Sequence, residues 1–139
     1  MFDEEAEVHA GDLLFTRKNT PELVGICAYV SDTSPKLMMP DLIFRLNTNE
    51  RCNKIFLWKL INHDLFRHKI SQIATGSAKS MSNISKERLG NLEIVLPNIE
   101  KQNEFALFVS QIDKSKVVVQ KALDEAQLLF DSLMQQYFG

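Results

Sequence analysis

Residues 74–98 read ATGSAKSMSNISKERLGNLEIVLPN. The first half of this stretch is small, hydroxyl-bearing and basic. Such a loop either turns the chain or meets something negatively charged. Ser85 has the chemistry of a helix N-cap, so a short helical turn is expected over 86–89, ended by Gly90. The chain then turns abruptly apolar at Leu92, Ile94, Val95 and Leu96, which predicts a short buried strand over 92–96. Pro97 is the last proline, and no glycine follows until Gly139. The remainder therefore reads as one helix, with a bend expected near Asp113.

Toward the N-terminus the chain reads as short strands joined by polar loops. Gly11 and Asp12 suggest a turn, and a strand is expected at about 12–17. Arg17, Lys18, Asn19, Thr20 and Pro21 form a polar loop. Residues 24–30 have strand composition, with Gly25 marking a bulge or a close backbone approach. A turn over 31–35 and a strand over 41–46 follow. From Asn53 the period changes. Ile55, Phe56, Trp58, Leu60 and Ile61 fit a helix, residues 62–64 break it, and Leu65, Phe66, Ile70 and Ile73 resume a helical stripe. The fold class is α+β: a small mixed domain of short strands and helices over residues 1–97, then a long coiled-coil-type helix over 98–139.

The helix carries its own signal. Ile112, Val119, Ala126 and Leu133 recur every seven residues. Lys116, Leu123, Phe130 and Tyr137 interleave four residues later, giving an a/d seam interrupted once by Lys116. From 112 to 138 such a helix is about 40 Å long at 1.5 Å per residue. The pattern follows 3.5 residues rather than a broad 3.6-residue stripe, so a similar helix, in cis or from another chain, is the expected partner; the alternative is a seam folded back on its own domain.

At 139 residues the chain has room for one domain and an appended element. No apolar run approaches the roughly 18 residues of a membrane span, so no membrane partner is expected. The start of the sequence is acidic and lacks the basic region of a secretory signal. Cys27 and Cys52 are too few and too far apart for a disulfide framework or a zinc site. A cytoplasmic, reduced protein is expected. The net charge is −2, but it is unevenly spread. Residues 1–9 hold four acids and no Lys or Arg, whereas residues 10–90 hold twelve Lys or Arg against seven acids. A basic block of this kind binds phosphate whatever the global sum.

Enzyme signals are weak. His63 and His68 are five residues apart, which does not place them on one helical face, so surface or capping roles fit better. Cys27 lies in an apolar run and reads as a core residue. The G-x-x-x-x-G-K-[ST] spacing of a nucleotide-hydrolysing loop is absent. No catalytic or metal-binding constellation emerges.

Taken in order, the motifs are more specific. GDLLFTRKN at 11–19, PDLIFRLN at 40–47, the run from FLWKLINHD through ATGSA, NIS and LEIVLPN to SQID at 56–113, and the heptad helix resemble the DNA specificity subunit of type I restriction-modification systems. The resemblance covers about residues 10–139. It implies a non-catalytic target recognition domain that reads part of a split sequence in double-stranded DNA and holds methyltransferase (modification) subunits. A restriction subunit joins through the complex. S-adenosylmethionine, ATP and Mg would belong to partner subunits, and this chain would hold no cofactor or metal.

A full subunit of that family has two recognition domains and two helical regions, and this chain has one of each. A half-subunit lacking its opening part, or a fragment, is what the resemblance implies. Gly76, Ser77, Lys79 and Ser80 would then face DNA phosphates, with Thr16, Arg17, Lys18 and Asn19 as a second set of contacts. Ile112, Val119, Leu123, Ala126, Phe130, Leu133 and Tyr137 would pair with a second copy or with another specificity subunit. The alternative is an assembly or regulatory fragment that pairs through its helix without reading DNA.

Overall fold

The computed structural model describes residues 3–75 and 81–139. The chain divides into two compact units, Met1–Gln102 and Asn103–Gly139. It is an α+β protein: short antiparallel strands and helices, then one long helix.

In the first unit, β1 (Leu13–Thr16), β3 (Cys27–Tyr29) and β4 (Ile43–Arg45) form an antiparallel sheet in the order β3-β1-β4. Leu13 opposes Tyr29, and Phe15 opposes both Cys27 and Phe44. Leu13 and Phe15 are fully buried, as the two-residue period of a strand requires of its inward side chains. A second, two-residue ladder pairs β2 (Lys18–Asn19) with β5 (Ser82–Asn83).

The helices start where the sequence supplies caps. Asn53 accepts from the backbone of Ile55 and Phe56 and opens α1 (Lys54–Ile61). His63 caps α2 (Asp64–Ile73) through Nδ1, which accepts from the Leu65 N–H at 3.2 Å. Ser85 caps α3 (Lys86–Gly90) by accepting from Arg88 at 3.1 Å. Val24, Ile61, Phe66, Ile70 and Ile84 join Leu13, Phe15 and Cys27 in the buried core. Cys27 is a buried core residue, and that burial pushes its thiol up to about 12.

At the end of α1, Asn62 reaches the sheet. Its Oδ1 accepts from the Cys27 N–H at 2.9 Å, and its Nδ2 donates to the Cys27 carbonyl at 2.7 Å. Arg45 pins the N-terminal segment to β4. It donates to the backbone carbonyls of Glu5 and Glu7, and its Nε lies 3.2 Å from an Asp12 carboxylate oxygen.

Two expected strands differ. Only residues 27–29 of the run 24–30 are strand, because residues 21–25 form a turn. Gly25 has φ +75°, and a Cβ there would lie 2.2 Å from Ile70 Cγ2. This is the close approach the glycine suggested. The stretch 92–96 makes no ladder, although Leu92, Ile94 and Leu96 are half-buried and Val95 is 89 % exposed. Its alternation reflects one side packed against the core cluster rather than pairing with a neighbour.

The last helix, α4 (Ile99–Phe138), is continuous through Asp113. Asn98 caps it by accepting from the Lys101 N–H at 3.0 Å. Gln102, in its first turn, is fully buried. The Gln102 amide donates to the carbonyls of Arg51 at 2.9 Å and Pro97 at 2.8 Å. Its oxygen accepts from the Asn53 N–H at 2.8 Å. One side chain thus ties the start of α4 to the residue that caps α1.

Candidate nucleic-acid interface

The β2–β5 ladder gathers polar residues that are far apart in sequence. Lys18 opposes Asn83, and Asn19 opposes Ser82. Thr75 extends the ladder on the other side of Asn83. The two residues exchange backbone hydrogen bonds of 2.7 and 2.6 Å. Ile84, next in the chain, donates to the Arg17 carbonyl at 2.7 Å and anchors the ladder in the core. Residues paired across strands share a face. Thr75, Asn83 and Lys18 therefore form one row, and all three are exposed. Asn19 and Ser82, on the opposite face, are half-buried.

The residues singled out from the sequence take different positions. Thr16 works inside the fold: its hydroxyl donates to the Leu23 carbonyl at 2.8 Å and accepts from the Ile26 N–H at 3.1 Å. Arg17 is half-buried, with its Nε donating to the Asp41 carbonyl and its guanidinium carbon 5.6 Å from the centre of the Phe44 ring. That contact is within cation–π range and orients the side chain. Lys18 is exposed, and the Asn19 side chain accepts from the Thr20 N–H at 2.8 Å. Gly76, Ser77, Lys79 and Ser80 lie outside the described residues. The ladder brings Thr75, which precedes them, beside Asn83 and so into the row that holds Lys18. Thr75 and Asn83 were not singled out from the sequence, because the pairing that joins them to Lys18 leaves no local pattern. Among the described residues, no three His, Cys, Asp or Glu side chains come together as metal ligands would.

In the second unit the heptad seam is bare. Val119, Leu123 and Phe130 are each more than half exposed, as is Tyr137; Ile112, Ala126 and Leu133 are exposed as well. Apolar side chains also lie off the seam at Val117, Val118, Leu128 and Leu129, all exposed. On the flanks, Gln120 donates to Asp124 at 2.9 Å and Gln127 to Asp131 at 2.8 Å. These are four-residue spacings that support a helix from its polar side. Exposed apolar surface this extensive marks a site of contact.

The two units define a class of two-part protein: an α+β unit with a polar ribbon, and a long helix with an uncovered apolar face. No protein-family profile matches the sequence. Comparison with known proteins shows that the chain is similar to part of the specificity subunits of type I restriction enzymes. It is 33 % identical over 92 residues to the type I restriction enzyme EcoEI specificity subunit of Escherichia coli, a match covering 66 % of this chain and 16 % of that protein. It is 26 % identical over 132 residues to the provisionally assigned type I restriction enzyme MjaX specificity subunit of Methanocaldococcus jannaschii, a match covering 92 % of this chain and 30 % of that one. The chain thus spans less than a third of the length of either relative. Among the described residues, no helix is long and apolar enough to cross a membrane.

Proposed function

We propose that this chain is a DNA-reading part of a type I restriction-modification complex. The first unit recognises part of a split target in double-stranded DNA. The long helix pairs with a second specificity-type helix, and the assembly docks the methyltransferase subunit. The chain is non-catalytic and works in the cytoplasm; methyl transfer and restriction, with S-adenosylmethionine, ATP and Mg, belong to partner subunits. The observation that carries this reading is the exposed row Thr75, Asn83 and Lys18 on a ladder anchored in the core, in a chain related to specificity subunits.

The test is fluorescence anisotropy with labelled duplexes, with and without a type I modification subunit. Alone, the chain is expected to bind DNA weakly, at about 10⁻⁴ to 10⁻⁶ M, and to lose affinity steeply as salt is raised. With the modification subunit, one duplex sequence is expected to be preferred. Arg17→Ala should cost that duplex about 1–3 kcal/mol more than a scrambled one, if the Nη atoms make a bidentate contact to a base. Equal loss on both duplexes assigns Arg17 to the backbone.

The bare seam of the helix favours a second reading, in which the chain is an assembly or regulatory partner that pairs through α4 and does not read DNA. Pairing with no salt-sensitive DNA binding, even beside the modification subunit, selects that reading.

A further inference from the structure

We propose that Lys18 and Asn83 act together as one clamp on the phosphate backbone of DNA. The proposal rests on the DNA-reading function above and names the chemical group that this face takes. Asn83 exchanges its backbone hydrogen bonds with Thr75, so its pairing with Lys18 is of the non-hydrogen-bonded kind. In such a pair the Cα atoms are about 4.5 Å apart and the side chains lie close. The Asn83 backbone is held by Thr75 on one side. On the other it is flanked by the ladder bond from its neighbour Ile84 to the Arg17 carbonyl. The side chain is thus carried on a fixed support.

Asparagine and lysine are both disfavoured in strands. Among the described residues, no protein group bonds to the Asn83 amide or to the Lys18 ammonium. A local strand preference broken in this way is expected at a functional position. An ammonium and an amide N–H side by side are two donors, and they match the oxygens of one phosphate. An adenine edge presents a donor and an acceptor together, which a neighbouring ammonium does not match.

The experiment measures binding of Lys18→Ala, Asn83→Ala and Asn83→Asp chains, each assembled with the modification subunit. The probes are the preferred duplex and a scrambled one, across a salt series. Each alanine variant is expected to lose several-fold in affinity, equally on both duplexes. Lys18→Ala should lower the slope of log K against log salt by about 0.9, and Asn83→Ala should leave it unchanged, because only the lysine displaces a counterion. Asn83→Asp keeps the shape and sets a negative charge against the phosphate, so its loss should exceed that of Asn83→Ala. Melting midpoints near that of the unsubstituted chain confirm that the exposed positions are folded. Loss confined to the preferred duplex overturns the clamp in favour of base reading. No loss for Asn83→Ala and Asn83→Asp overturns it outright. If the unsubstituted assembly binds neither duplex, the DNA-reading function fails with it, and that outcome is distinguished before any variant is made.

Discussion

Replacing Gln102 by leucine tests whether one buried amide secures the first unit. Leucine fills nearly the same space, so the cavity contribution is small. What changes is the state of three backbone groups: the Asn53 N–H and the carbonyls of Arg51 and Pro97 lose their partner. Each lost hydrogen bond at a part-buried backbone group costs about 1 kcal/mol. The sum is about 3 kcal/mol. Trp58, the single tryptophan, lies in α1 and stacks on Tyr29 with ring centroids 5.9 Å apart. Its fluorescence therefore follows the first unit and ignores the long helix. In a urea titration with a slope of about 2 kcal/mol per molar, the midpoint should fall by about 1.5 M. A second variant fixes the mechanism. In Gln102→Glu the carboxylate faces two carbonyls, so the folded state favours the protonated acid and raises its pKa. That variant should be most stable at low pH and lose stability as pH rises past the unfolded carboxyl value. A shift below about 0.3 M for Gln102→Leu, or no pH dependence for Gln102→Glu, refutes the assignment.

Three other outcomes are expected. Gly25→Ala places a methyl 2.2 Å from Ile70 Cγ2 at a φ of +75°, so it should destabilise by about 2–4 kcal/mol and lower the Tm by roughly 10 °C or more; a change of a few degrees contradicts the close packing. Leu123→Asp combined with Phe130→Asp should convert a self-associating chain to a monomer in sedimentation velocity, since each seam residue contributes about 1.5–3 kcal/mol when buried; an unaltered association state shows that the seam is not the contact. Cys27 has a folded pKa of about 12 against an ordinary 9.0, so the unfolded chain releases its proton first. Its contribution is intact below pH 9 and declines toward 12, by up to about 1.4 kcal/mol per pH unit. Urea titrations above pH 9 should show a shallower decline in Cys27→Ala.

Local signals in the sequence were enough for the helices. The change of period at Asn53 and the Ser85 cap mark the short ones, and the seven-residue spacing of Ile112, Val119, Ala126 and Leu133 marks the long one; the caps at Asn53 and Asn98 emerge from the structure. The strands that the sequence overstated show what periodicity measures. Leu92, Ile94 and Leu96 alternate because one side of the segment packs inward, and hydrogen bonding to a neighbour is a separate matter. At 24–26 the apolar composition belongs to a turn, held by the Thr16 hydroxyl and allowed by Gly25. The β2–β5 ladder joins residues more than sixty positions apart over two residues per strand, too short for any alternation to appear. Arg17, Lys18 and Asn19 stand out by residue type, but type alone does not separate Arg17, bound to Asp41, from Lys18, which is exposed. Gln102 sits in a polar stretch of sequence, and only its distant partners reveal that it is buried.

The amide of Asn62 has a consequence for how copies of this protein avoid one another. The outward N–H and carbonyl of Cys27 are the groups onto which a strand from another molecule would add. Both are already taken by a side chain of the same chain. That stretch of β3 therefore offers no template for runaway strand-on-strand growth, and crowded molecules are steered away from joining there. Asn62→Ala removes this cover, and the variant is expected to aggregate at concentrations where the unsubstituted chain stays in solution.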